Sequence, residues 1–106
     1  MDNWHITSFL PEQEPCLNNL NTYLSPGLIS GSSNDARFVF DAVYRVEDER
    51  FVLTLMQVDD EFGIIEHEVR LHPASRAELL AQIERFCHAP QHVFAVEEVR
   101  INAFKR

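Results

Sequence analysis

Glycine is scarce in this chain. Three glycines in 106 residues leave no GxGxxG or GxxxxGK loop, so the usual phosphate cradles built from close-approaching backbone are excluded. Bases are scarce as well: 9 Lys and Arg stand against 17 Asp and Glu, for a net charge of −8. Nucleic acid and anionic membrane surfaces are poor partners for such a chain, because binding phosphate requires Lys and Arg. No apolar run approaches the roughly 18 residues that a membrane-spanning helix needs. The opening MDNWHITSFLPEQEP has no basic stretch, and its apolar residues are too broken to read as a secretory leader. Cysteine is limited to Cys16 and Cys87. A domain of this length does not need a covalent staple, so two reduced, small apolar side chains are the expectation. Together these absences predict a soluble, cytoplasmic protein. A length of 106 residues predicts a single domain over residues 1–106, large enough to bury roughly two-thirds of its unfolded surface.

Acid, by contrast, is abundant and concentrated. From Asp41 to Glu68 nine carboxylates face only Arg45 and Arg50, a segmental charge of −7. Within that segment an apolar run, Phe51 to Val58, is bracketed by Glu47, Asp48 and Glu49 on one side and Asp59, Asp60 and Glu61 on the other.

Periodicity predicts the elements. A short strand with weak alternation falls in residues 3–9, and SGSSNDA, Ser30 to Ala36, reads as a mobile polar loop. Leu17, Leu20 and Leu24 recur at helical spacing behind Pro15, which predicts a helix from Pro15 to Leu24 stopped by Ser25-Pro26-Gly27. Three runs then alternate with a period of two: RFVFDAVYRV, RFVLTLMQV and GIIEHEVRL. In the third, Ile65, His67, Val69 and Leu71 face one way, and Glu66, Glu68 and Arg70 the other. Ser75 and Glu78 have the spacing of a capping box ahead of the apolar stripe Leu79, Leu80, Ile83, Phe86 and Cys87. Pro90 should end this helix, and a last strand should run from about His92 to Phe104. The predicted fold is an α+β domain in the order α-β-β-β-α-β. Its mainly antiparallel sheet, a three-strand meander plus a C-terminal strand, carries two helices packed on one face.

Catalytic and metal-binding patterns are weak. Cys87, His88 and His92, with His67 or His72, match no closed zinc spacing, and no base or orienting group can be named for a Cys87 nucleophile. The sequence shows neither HExxH nor a nucleophile elbow. His67 reads as a core histidine, and Glu66 and Glu68 as exposed strand residues. No enzymatic activity, metal or cofactor is expected.

If residues 51–58 form the middle strand of a meander, its two turns lie roughly 23 Å apart at about 3.3 Å per residue. The clusters then form two separate acidic rims, Glu47–Glu49 and Asp59–Glu61. The leading expectation is a protein-binding protein of the inhibitor or immunity type, covering the active surface of a basic toxin, nuclease or effector with these six residues. Immunity proteins share this profile: small, acidic and without catalytic residues. Dimeric secretion chaperones share the element order in part, which keeps a homodimeric chaperone or adaptor using its sheet face as the second reading. A small enzyme or ligand-binding domain is the third reading, and a nucleic-acid mimic that inhibits a phage-defence or restriction complex is a sharper form of the first. The mimic would require a dense row of carboxylates, and here a strand length separates the two groups.

Overall fold

A computed structural model describes residues 3–24 and 27–94. Five strands, β1 (Trp4–Ser8), β2 (Ile29–Ser33), β3 (Phe38–Arg45), β4 (Arg50–Val58) and β5 (Ile65–Leu71), form one sheet in the order β1-β2-β3-β4-β5. Every neighbouring pair is antiparallel. One helix, α1 (Arg76–His88), follows the sheet, and residues 90–94 form a second, five-residue helical piece. No helix among the described residues is long and apolar enough to cross a membrane.

The predicted order α-β-β-β-α-β is therefore wrong: five strands come first and the helices last. Three local causes account for it. The helix expected over Pro15–Leu24 shrinks to a 3-10 turn, Leu20–Tyr23. Asn19 turns its side chain onto the backbone, accepting from Cys16 N at 2.7 Å and donating to Glu14 O at 2.9 Å. Such bonds offer the backbone an alternative to the helical ladder. Leu17, counted in the apolar stripe, is 90% exposed. The expected loop at Ser30–Ala36 is strand through Ser33, followed by a tight turn. Ser30 and Ser32 of β2 alternate onto the uncovered side, while Gly31 lies under the Phe40 ring. Finally, the strand expected from His92 begins instead in helical residues, and its remainder, 95–104, lies outside the described residues.

Period two explains which face of the sheet is covered. Phe38, Phe40 and Ala42 of β3 and Phe51, Leu53 and Leu55 of β4 are buried on one side. Leu79, Ile83 and Phe86 of α1 join them in the same core. Ser75 and Glu78 cap the helix start as predicted, with one shift: Glu78 N donates to Ser75 Oγ at 3.0 Å, while the Glu78 carboxylate accepts from Ala74 N, one residue before the cap, at 2.8 Å. A second cap comes from far along the chain. Glu14 accepts from Arg76 N at 2.6 Å and Ala77 N at 3.1 Å, placing a carboxylate where the helix dipole favours one. Arg76 Nε donates to Pro11 O at 2.6 Å, so the irregular segment before β2 is strapped to the start of α1.

Trp4 fixes the other end. Its ring packs against Phe40 and Phe86 at centroid distances of 5.8 and 5.6 Å. Its Nε1 donates to Cys87 O at 3.1 Å, joining β1 to the last turn of α1. The Phe40 ring that Trp4 touches also closes over Gly31. A Cβ there would sit 2.7 Å from Phe40 Cε1 and 3.0 Å from Ile6 Cγ1. Overpacking of this kind costs about 1–3 kcal/mol. Gly31→Ala should therefore lower the unfolding free energy in urea by that amount, whereas Ser32→Ala, on the uncovered face, should change it by less than about 0.5 kcal/mol. Equal effects at the two positions would refute this account of Gly31.

Candidate functional site

The structure places Glu47, Asp48 and Glu49 in the β3–β4 turn and Asp59, Asp60 and Glu61 in the β4–β5 turn. The nine residues of β4 separate them, a span of roughly 26 Å. Each trio is brought together, and the two trios stay apart.

Their electrostatics differ. At the β3–β4 turn, Arg45 and Arg50 are cross-strand partners. Asp48 lies between them, 3.1 Å from Arg45 Nε and 4.0 Å from an Arg50 terminal nitrogen. Two bases against three acids leave this rim nearly balanced. Glu49 adopts φ 52°, a left-handed conformation that closes the turn. At the β4–β5 turn no basic residue falls between Val58 and Ile65. Arg37 sits at the base of the turn, with Nε donating to Val58 O at 2.7 Å, and its terminal nitrogen lies 3.9 Å from Glu66 rather than on the trio. Glu68 is matched by Arg70 at 3.3 Å. The excess negative charge of the segment is thus left at Asp59, Asp60 and Glu61.

This second turn is also built differently. Asp59 Oδ1 accepts from Phe62 N at 2.7 Å and Gly63 N at 2.9 Å, and Asp59 N donates to Ile64 O at 2.9 Å. Gly63 supplies the positive φ, 67°, that the turn requires. Inside it, Phe62 is 74% exposed and Ile64 60%, and the neighbouring Ile65 is 49% exposed. A register slip between Gln57 and Val58 sets Ile65 opposite Val58, which takes it off the core face predicted for it. These three apolar residues were missed as site candidates. The available signal was Phe-Gly-Ile-Ile directly after three acids, an apolar group where a turn is ordinarily polar.

The uncovered sheet face is mixed. Half-buried Val39, Val43, Val52 and Met56 surround a polar row in which Ser30, Asp41, Thr54 and Arg70 are successive cross-strand partners. Burial pushes the Asp41 carboxyl above the ordinary aspartate value.

The sequence's other chemical candidates separate. His67 stacks on Phe94 at 5.9 Å. Burial pushes the Cys87 thiol up to about 11, which suppresses the thiolate a nucleophile needs. Among the described residues no three His, Cys, Asp or Glu side chains group as metal ligands.

Two measurements check this description. The hydrogen bonds from Phe62 N and then Gly63 N hold the Asp59 carboxyl below its ordinary value of 3.8. A depressed folded value stabilises the turn above the unfolded value and loses that contribution as pH falls through the folded one. Amide protection at Phe62 and Gly63 should therefore hold near neutrality and decline only below pH 3.8, while Asp59→Ala should remove it at every pH; protection that survives this variant would refute the clamp. For the thiols, exposed Cys16 should react with a disulfide reagent at pH 8, and partly buried Cys87, with roughly one thiolate in a thousand at that pH, only on unfolding. A fast reaction that persists in Cys16→Ser would contradict the burial of Cys87. Comparison with protein-family models, with curated proteins and with solved structures finds no match to this chain.

Proposed function

We propose that this chain is a protein-binding protein of the inhibitor type, acting without catalysis, that docks its β4–β5 turn on a basic partner and covers that partner's active surface. The observation that carries this reading is the exposure of Phe62, Ile64 and Ile65 beside the unmatched acids Asp59, Asp60 and Glu61. Apolar anchors in the centre and charge at the margin are the arrangement of a binding patch: the anchors supply burial and the charges speed encounter. Asp59 holds the turn in one shape, so little ordering remains to be done on binding. The β3–β4 turn, with Glu47 and Glu49 beside the internally matched Asp48, contributes less. Fields that speed encounter with a basic toxin, nuclease or effector suit an immunity role. The reading places the protein in the cytoplasm, where its two thiols stay reduced.

The homodimeric chaperone or adaptor reading would use the uncovered sheet face. It is disfavoured by Asp41, whose burial under a second copy would need an opposite charge, while Arg70, the base of the same polar row, is already matched by Glu68 at 3.3 Å. The nucleic-acid mimic is disfavoured by the distance between the two acidic turns.

The test is capture of a partner from native lysate by tagged protein, followed by kinetics with the purified partner. Asp60→Lys with Glu61→Lys should slow association at low salt by about tenfold or more, with less effect at high salt. Phe62→Ser with Ile64→Ser should accelerate dissociation, and Glu47→Lys with Glu49→Lys should change both rates little. A partner bound equally well by the β4–β5 variants would refute the proposal.

A further inference from the structure

A cleft of about 760 Å³ opens between α1 and the β5 side of the sheet. Leu55, Leu71, Phe86 and Val93 form an apolar lining, and the volume is in the range of small-molecule sites. Arg85, His88 and His92 also line it, with Glu84 as the one acid. With histidine neutral, as in the chain's net charge of −8, Arg85 and Glu84 cancel and the lining carries no net charge.

Arg85 is distinctive among the described arginines. Arg37, Arg45, Arg50 and Arg70 each lie within 4.0 Å of a carboxylate, and Arg76 Nε is bound to Pro11 O. Among the described residues Arg85 makes one long hydrogen bond, 3.5 Å from Nε to Ala81 O. Its place in the last turn of α1 suits the helix dipole, which accounts for a cation there but not for one set against an apolar cleft. Gln82, also in the lining, has a buried Oε1 without a hydrogen-bond partner among the described residues. An ionised carboxylate has no hydrogen to give this oxygen, so a carboxylate head group is assigned to Arg85 alone.

We infer that the cleft binds a small amphiphilic anion, with an apolar chain on Leu55, Leu71 and Phe86 and an anionic head on Arg85. The apolar lining selects the chain and the guanidinium selects the head, since charge-assisted hydrogen bonds to a carboxylate are about twice as strong as neutral ones. This site does not depend on the β4–β5 turn.

Decanoate is the probe, titrated calorimetrically into the full chain below its micelle concentration, with decyltrimethylammonium as the same tail bearing the opposite charge. Trp4 packs on Phe86, so its emission gives a second readout. Decanoate should bind at least about tenfold more tightly than the cation, and Arg85→Gln should erase that preference while Arg85→Lys keeps part of it. Ala81→Trp, which adds bulk at the exposed wall of the cleft, should abolish binding with the thermal melt unchanged. Equal affinity for the two head groups would overturn the proposal, as would binding that survives Ala81→Trp. Failure of decanoate to bind would overturn it too, whether the cleft is then held by a second copy, seen by sedimentation, or by residues 95–106, seen by cross-linking.

Discussion

Among the described residues, one helix and a five-residue helical piece have to cover one face of five strands. With 13 residues, α1 is about 20 Å long and 10 Å wide, whereas five strands at about 4.8 Å spacing present a face roughly 20 Å across. The helix packs over the middle of the sheet, and the margins must be closed by other means. On the β1 side, Trp4 reaches across to Phe86 and Cys87. At the helix start, the strap that carries Glu14 folds under Arg76 and Ala77, while Tyr23 is buried and gives its hydroxyl hydrogen to Gln13 O. On the β5 side, coverage by the described residues is thinnest, and the cleft lies there.

The same limit decides what the sequence could reveal. Elements whose causes are local were legible. The capping box around Ser75 needs only neighbours in sequence, and β3 and β4 carry their burial pattern in their own alternation. Elements whose causes are tertiary were not. Nothing local says that Gly31 lies under an aromatic ring, so a Ser- and Gly-rich strand looked like a loop. The leucines near Leu20 looked helical because spacing does not reveal that Leu17 has nothing to pack against. The 3-10 turn forms there because Asn19 bonds its own neighbourhood.

The candidate site divides along the same line. Sequence placed the two acidic trios at opposite ends of one strand, since that follows from a meander. It treated them as equals because charge matching is a matter of register. Arg45 and Arg50 are brought face to face by the β3–β4 pairing, and Asp48 then serves both. Among the described residues no comparable base reaches Asp60 or Glu61. The slip after Gln57 turns Ile65 outward, and a slip cannot be read from alternation that looks intact.

Asp41 shows why the uncovered face and the β4–β5 turn should be judged differently as binding surfaces. Both present apolar side chains beside carboxylates. On the sheet face the carboxylate sits within the patch, already partly desolvated, so any partner that covers Val39 and Val43 must also cover Asp41 and meet its charge. At the turn the apolar side chains project, and Asp60 and Glu61 stand beside them in solvent. A charge at the margin keeps its hydration through encounter and costs little on docking, whereas a charge at the centre must be paired or neutralised. The face is therefore tolerable as free surface, and the turn is the surface suited to a partner.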